Sequence, residues 1–253
     1  MIIDIDGSSN QHSNSVDPAN PLPGAVDKLS DPTCRYQLAF PFVGAAAVPD
    51  RFKQDDTAED EWQYMGREKF KELLQLLKYV RKNRAYDTVW VYGTQGYGKS
   101  RLLAALVCYL AAQDERVVYI PDCRQLLKLD PVEYMQSSML FAWADDITAQ
   151  EKIMALNTMD EIKAFFKSPK TKNRIFFFDQ LNGMNDDPEE GKRVMRWLMR
   201  CTSGSTRVFS SSANYADYIG QSHKQSSNLV LPVCGGLATV SHLIIYVTMR
   251  LLT

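Results

Sequence analysis

The sequence predicts an α/β fold in which helices cover both faces of a parallel sheet. Short runs rich in β-branched and aromatic residues alternate with longer segments of helical periodicity, which is typical of parallel strands joined by right-handed crossovers. The run at residues 175–178 is continuously apolar, as expected of a strand buried on both faces. A third observation is a glycine-rich loop, residues 93–100, between a predicted strand and a predicted buried helix.

The individual elements follow from periodicity and from helix-start signals. Residues 70–80 predict an amphipathic helix, because apolar side chains recur at i, i+3, i+4 and i+7 with charged residues between them. A later helix is predicted to begin after Asp187, which can cap it, and Pro188 suits its first turn. The other predicted elements are strands at 88–92, 116–120, 175–178, 206–211 and 228–231, and helices at 101–112, 131–143 and 148–166.

The 253 residues divide into three predicted segments. Residues 1–60 are rich in Ser, Asn, Pro and Asp and predict a flexible N-terminal tail, although residues 36–43 are apolar enough to dock on the domain. Residues 61–237 form the predicted domain. Residues 238–253 form a predicted short C-terminal tail.

Composition excludes some classes of function. A net charge of −1 gives no global indication of nucleic-acid or acidic-membrane binding, although local basic patches remain compatible with it. Neither a secretory signal nor an apolar stretch of about 20 residues is visible, which predicts a soluble protein without membrane association. Five cysteines without a CxxC pair indicate a reduced, intracellular setting.

The glycine-rich loop matches the phosphate-binding pattern G-x-x-x-x-G-K-[ST] in full. Glycines let backbone amides approach phosphates closely, and the following helix presents its positive end to the same anion. Lys99 can reach the β and γ phosphates, and the Ser100 hydroxyl can ligate magnesium. A plain glycine-rich turn is the alternative, but the flanking strand and helix favour a P-loop. The predicted nucleotide ligands are Gly93, Thr94, Gln95, Gly96, Tyr97, Gly98, Lys99, Ser100 and Arg101.

A P-loop protein also needs an acid at the tip of a parallel strand beside that of the loop. Asp179 ends the apolar run and is predicted to hold Mg²⁺ together with Ser100, with a simple turn residue as the alternative. Gln180 follows where many hydrolysing enzymes place a glutamate; an amide can orient water but cannot act as a base, so slow turnover is expected. Asp122, at the end of the second strand, is the candidate base, against a capping or surface role.

Further candidates follow the predicted strand at 206–211. In AAA-like and STAND-like ATPases this strand carries a polar residue that senses the γ-phosphate, and Asn214 or a nearby serine resembles it, against the alternative of serines in a solvated loop. Arg196, Arg200 and Arg207 are candidate arginine fingers, and each is equally compatible with a solvated charge.

Several short sequence segments together resemble those of a known family. They are residues 93–100, 118–124, 138–142, 178–182 and 209–214. The chain resembles, over about residues 61–237, the NTPase module of Crinkler-type effectors, which are related to the retrotransposon hot spot proteins. The resemblance implies an AAA- or STAND-like ATPase, ATP rather than GTP as the nucleotide, and action in a host cell and its nucleus.

Two departures limit what the resemblance implies. The N-terminal Leu-Phe-Leu-Ala-Lys phrase of the family is absent from the sequence. Residues 240–253 do not resemble the helical lid expected after residue 233, which predicts a truncated lid. Neither the nuclease nor the kinase-like domain of the family is therefore expected here.

The predicted function is Mg²⁺-dependent ATP binding with slow hydrolysis, serving as the motor or switch of a Crinkler-like protein. One alternative is a nucleotide-binding interaction module with little or no turnover. Another is an interaction protein whose tail docks a host or self protein partner while the nucleotide stabilises the fold.

Overall fold

The computed structural model describes residues 2–4, 24–43, 48–53, 61–83, 85–168, 173–212 and 228–233. Its strands are β1 (Ile2–Asp4), β2 (Arg35–Ala39), β3 (Glu61–Met65), β4 (Thr88–Gly93), β5 (Arg116–Ile120), β6 (Arg174–Phe178), β7 (Thr206–Ser212) and β8 (Asn228–Pro232). Its helices are α1 (Ala25–Ser30), α2 (Lys69–Lys82), α3 (Lys99–Ala111), α4 (Gln125–Lys128), α5 (Pro131–Ala142), α6 (Ile147–Met154), α7 (Met159–Lys167) and α8 (Pro188–Cys201), with a 3-10 helix at Leu181–Asn185.

The centre of the fold is a five-stranded parallel sheet with the order β5-β6-β7-β4-β8. The predicted α/β class with a parallel sheet is confirmed. One expectation about this sheet is wrong, because the strand that ends at Asp179 does not lie beside the strand of the glycine-rich loop. Strand β7 lies between β4 and β6 and pairs with both. The polar end of β7 is therefore inserted between the glycine-rich loop and Asp179.

Helices cover both faces of the sheet and form three layers. Alternate residues of each strand point to opposite faces, so Ile175 and Phe177 of β6 join one apolar cluster while Phe176 and Phe178 join the other. Helices α2 and α3 pack on the first face, whereas α5, α7 and α8 pack on the second. The expected αβα arrangement is confirmed.

The segment predicted as one helix at 148–166 is two helices, α6 and α7. Thr158 caps α7 by accepting a hydrogen bond from the backbone N–H of Glu161, and the Glu161 carboxylate accepts from the backbone N–H of Thr158. This reciprocal capping box stabilises a helix start and so divides the segment into two helices. The periodicity continues across the break because both helices bury apolar side chains in the same cluster.

Part of the predicted N-terminal tail is folded, which corrects the boundary at residue 61. Strands β1, β2 and β3 form an antiparallel sheet in which Tyr36 lies opposite Tyr64 and Leu38 opposite Trp62. The prediction that residues 36–43 dock on the domain is confirmed by the burial of Tyr36 and Leu38 in the first apolar cluster. Apolar side chains at alternate positions cover the domain here, although residues 1–60 as a whole are polar.

Two further expectations concern membranes and cysteines. Within the described ranges, no helix combines the length and apolar content that crossing a bilayer requires. Cys34, Cys108, Cys123 and Cys201 are free thiols. Burial raises the pKa of Cys201 to about 12, so this thiol packs as a small apolar group. Cys234, Asn214 and the predicted tail at 238–253 lie outside the described residues.

Candidate functional site

The glycine-rich loop leaves β4 at Gly93 and enters α3 at Gly98. A β-carbon on Gly93 would lie 2.0 Å from the carbonyl oxygen of Val233, so only glycine fits there. Gly98 has a φ of 74° and provides the N-cap of α3 without a side-chain hydrogen bond. The first amides of α3 are therefore not capped by the residue that precedes them, which is the arrangement that favours anion binding.

Lys99 lies across the loop that precedes it. Its ammonium donates to the carbonyl oxygens of Gly93 at 2.7 Å and Thr94 at 2.8 Å, and its side chain is nearly buried. Ser100, the next residue, is also buried at the start of α3. The loop, the ammonium and the hydroxyl thus lie together at the carboxyl end of β4.

Asp179 follows β6 directly, and its carboxylate is fully buried. Oδ1 accepts hydrogen bonds from the Ser210 hydroxyl and from the backbone N–H of Gln180 at 2.9 Å, while Oδ2 lies 3.1 Å from Nη2 of Arg51. Gln180 has a left-handed backbone with a φ of 59°, and its side-chain amide donates to the Ser100 hydroxyl at 3.3 Å. A left-handed glutamine is uncommon and such residues cluster at functional sites. Gln180 therefore joins the two predicted metal ligands.

The donor set at this corner fits Mg²⁺. Mg²⁺ prefers oxygen ligands, usually one or two carboxylates together with substrate phosphates. Asp179 provides a carboxylate and Ser100 a hydroxyl, and Gln180 contacts both residues. The guanidinium of Arg51 lies 3.1 Å from the second carboxylate oxygen of Asp179, so a cation bound to that oxygen would have to displace it.

Asp122, at the end of β5, is buried and shared by two guanidinium groups. Arg124 donates to it from Nε at 3.0 Å and from Nη2 at 2.7 Å, and Nη1 of Arg51 lies 3.4 Å away. The hydrogen bond to Asp122 is the main cause that raises the pKa of Arg124. A general base must present an oxygen to water. This geometry favours a positioning role for Asp122, and its catalytic role stays a prediction.

Arg51 and Arg67 lie at the site although the sequence did not indicate them. Arg67 donates to the carbonyl oxygen of Tyr97 at 3.2 Å and lies against Gly98. Gly66 places Arg67 there, since a β-carbon at Gly66 would lie 2.0 Å from the carbonyl oxygen of Asp31. A glycine-arginine pair just before an amphipathic helix was the available signal for Arg67. No comparable signal marks Arg51.

Arg101, a predicted nucleotide ligand, ties the loop helix to the N-terminal elements. Its guanidinium donates to the carbonyl oxygens of Gln63 and Arg51, each at 3.3 Å. Burial lowers the pKa of Arg101, and the neighbouring charge of Arg67 lowers it further. An anion placed between these two cations would relieve their repulsion.

The three candidate arginine fingers, for which a solvated charge was the alternative, do not come together at the site. Arg207 pairs with Asp87, and none of Arg196, Arg200 and Arg207 is among the residues that line the cavity beside the glycine-rich loop. Ser210 and Ser211, two of the serines near the predicted sensor position, do line that cavity.

One cavity of about 700 Å³ joins these groups. It opens at the carboxyl ends of β4, β6 and β7. Asp186, on its rim, is the one carboxylate among the described residues that line it. The lining residues with a positive charge are Arg51, Arg67, Lys99, Arg101 and Arg124. The cavity is therefore suited to a small polyanion.

Comparisons with solved structures find partial likenesses. The ORC1 protein of Aeropyrum pernix in complex with DNA is 15% identical over 65% of this chain and 44% of that chain, with a TM-score of 0.40. Drosophila ORC bound to DNA is 14% identical over 66% and 29%, with a TM-score of 0.38, and the DUF1998 helicase MrfA bound to DNA is 13% identical over 81% and 33%, with a TM-score of 0.33. The chain spans less than half the length of these proteins, and likenesses this distant carry no argument about function.

No protein-family model and no curated protein matches the sequence. The assignment of the fold is based instead on the strand order and on the position of the glycine-rich loop between β4 and α3. The assignment of the site is based on the side chains that these elements bring to one edge of the sheet.

Proposed function

We propose that the chain is a P-loop nucleotide-binding domain that holds ATP with Mg²⁺ and hydrolyses it slowly. The observation that carries the proposal is the cavity at the carboxyl edge of the sheet, in which the glycine-rich loop, Lys99 and Ser100 lie beside Gln180 and Ser210. The loop amides and Lys99 would hold the phosphates, and Ser100 and Asp179 would hold the metal. The metal would supply positive charge to the phosphate oxygens.

Slow turnover follows from the groups around the cavity. Gln180 can orient a water molecule but offers no basic site. The oxygens of Asp122 are held by two guanidinium groups, and Asp186 is exposed on the rim. These observations equally support the second candidate, a nucleotide-binding interaction module that hardly turns over. Single-turnover hydrolysis separates the two functions.

Equilibrium titration with ATP, with and without Mg²⁺, tests nucleotide binding. Lys99→Ala is expected to weaken ATP binding on the order of ten- to a hundredfold, because a charge-assisted contact contributes about 1.5–3 kcal/mol. Lys192→Ala is the matched control, since this exposed lysine pairs with Glu189 on α8. Absence of binding by the parent protein, or unchanged affinity in a folded Lys99 variant, contradicts the proposed function.

The choice of ATP and the family context have a separate basis. Both rest on the phrases that resemble Crinkler-type effectors and retrotransposon hot spot proteins, of which residues 118–124 and 178–182 form parts of the site. We propose the role of motor or switch for this module within such a protein. Parallel titration with GTP tests the choice of ATP as the nucleotide, and tighter binding of GTP would contradict it.

A further inference from the structure

Arg51 reaches the site from a segment that precedes the loop by many residues. The neighbouring Phe52 is fully buried, with ring centroids 4.9 Å from Phe40 and 5.2 Å from Trp62. The carbonyl oxygen of Arg51 accepts from Arg101 of α3. These contacts fix the backbone at Arg51, and its side chain lines the cavity.

The guanidinium of Arg51 covers the carboxylate of Asp179. Their atoms lie 3.1 Å apart, Asp179 has no exposed surface, and the Arg51 side chain keeps 26% of its surface exposed. Arg51 also donates to the carbonyl oxygen of Pro121 and pairs with Asp122. A buried carboxylate without a counter-charge is strongly destabilising, so Arg51 stabilises Asp179 when no metal is bound.

A divalent cation on Asp179 would replace that counter-charge and repel the guanidinium. In a P-loop site the terminal phosphate lies at the metal, beyond the phosphates that the loop amides hold. Arg51 lines the same cavity as the glycine-rich loop and Lys99, so a terminal phosphate bound there would be an anion for its guanidinium once the metal has taken Asp179. A diphosphate has no group at this position.

We propose that Arg51 is a ligand of the terminal phosphate, supplied by the chain's own N-terminal segment, and that it distinguishes triphosphate from diphosphate. Arg51 pairs with Asp179 when no nucleotide is bound and transfers to the terminal phosphate when the Mg²⁺–triphosphate complex binds. The proposal rests on the proposed function. If Arg51 changes partner in this way, residues 48–53, which carry it, respond to whether diphosphate or triphosphate is bound.

The first test compares affinities for ADP and for the β,γ-imido analogue of ATP, both with Mg²⁺. Arg51→Gln is expected to weaken triphosphate binding on the order of tenfold or more while changing ADP binding by less than about threefold, because only the triphosphate loses a charge-assisted contact. Arg81→Gln is the matched control, since Arg81 pairs with Glu115 and does not line this cavity. An unchanged ratio of the two affinities, whether both stay the same or both fall by the same factor, overturns the proposal.

The second test uses the parent protein and is independent of whether an Arg51 variant folds. Hydrogen exchange at residues 48–53 is expected to differ between the ADP and triphosphate complexes. Identical exchange in both complexes overturns the role of Arg51. Failure of the parent to bind either nucleotide would instead contradict the proposed function, so the two failures are distinguishable.

Discussion

At the scale of single residues, Asp179 is held by partners that any bound metal must share or displace. Asp179→Asn keeps the shape and the hydrogen bond from Ser210 but removes the charge. We expect the enhancement of triphosphate binding by Mg²⁺ to fall about tenfold or more. Mg²⁺-free binding is expected not to weaken, because loop amides and Lys99 hold the phosphates and the substitution releases Arg51 from its ion pair. Titration at several Mg²⁺ concentrations measures this. Asp145→Asn, which alters an exposed ion pair with Arg116, is the control. If Asp179→Asn left the metal dependence unchanged, Asp179 would be a turn residue and not a metal ligand.

Gln180 is best tested with asparagine, since alanine would strain the left-handed backbone at φ 59°. Gln180→Asn keeps an amide but shortens its reach toward Ser100. We expect single-turnover hydrolysis to slow on the order of ten- to a hundredfold with nearly unchanged ATP affinity, because a small misplacement of water is costly. Asp122→Asn is measured in parallel. A larger loss for Asp122→Asn would make Asp122 the base, and unimpaired turnover in both variants would place the catalytic water elsewhere.

At the scale of secondary-structure elements, the capping box at Thr158 determines where α7 begins. Thr158→Ala removes the acceptor for the backbone N–H of Glu161, and we expect it to lower the free energy of unfolding by about 1 kcal/mol. Urea denaturation measures the change. Ser137→Ala is the control, because the Ser137 hydroxyl lies within α5 and donates to a carbonyl four residues earlier. Equal unfolding free energies for the two variants would contradict the role assigned to the cap.

At the scale of the whole molecule, the N-terminal elements contribute to the core and cannot be removed without loss. Six buried apolar residues of this segment, each contributing about 1.5–3 kcal/mol, together match the whole stability of a typical domain. They are Leu29, Tyr36, Leu38, Phe40, Val48 and Phe52. We therefore expect a chain that starts at residue 61 to lose cooperative thermal unfolding and to be cleaved rapidly by proteases. A melting temperature equal to that of the full chain would restore the interpretation of residues 1–60 as a tail.

Local sequence patterns predicted many of the helices and strands. They did not predict which distant strands and side chains pair with one another. The glycine-rich loop, the amphipathic α2 and the apolar β6 were predicted because each signal lies within a few consecutive residues. The insertion of β7 between β4 and β6 depends on which strands pair, and no local period encodes that. Arg51 was missed for the same reason, since its partners Asp122 and Asp179 lie 71 and 128 positions away. The catalytic assignments of Gln180 and Asp122 stay predictions.

The position of β4 in the sheet has a consequence for biosynthesis. Both neighbours of β4, strands β7 and β8, begin only at residues 206 and 228. A ribosome adds about 5–20 residues per second, so β4 waits on the order of ten seconds after its own synthesis for either neighbour. During that time Val89 and Val91 lack their sheet neighbours, and the phosphate loop lacks the β7 side of its cavity. We expect ribosome-stalled chains that end before residue 206 to be protease-sensitive, and the full chain to become resistant after its release from the ribosome.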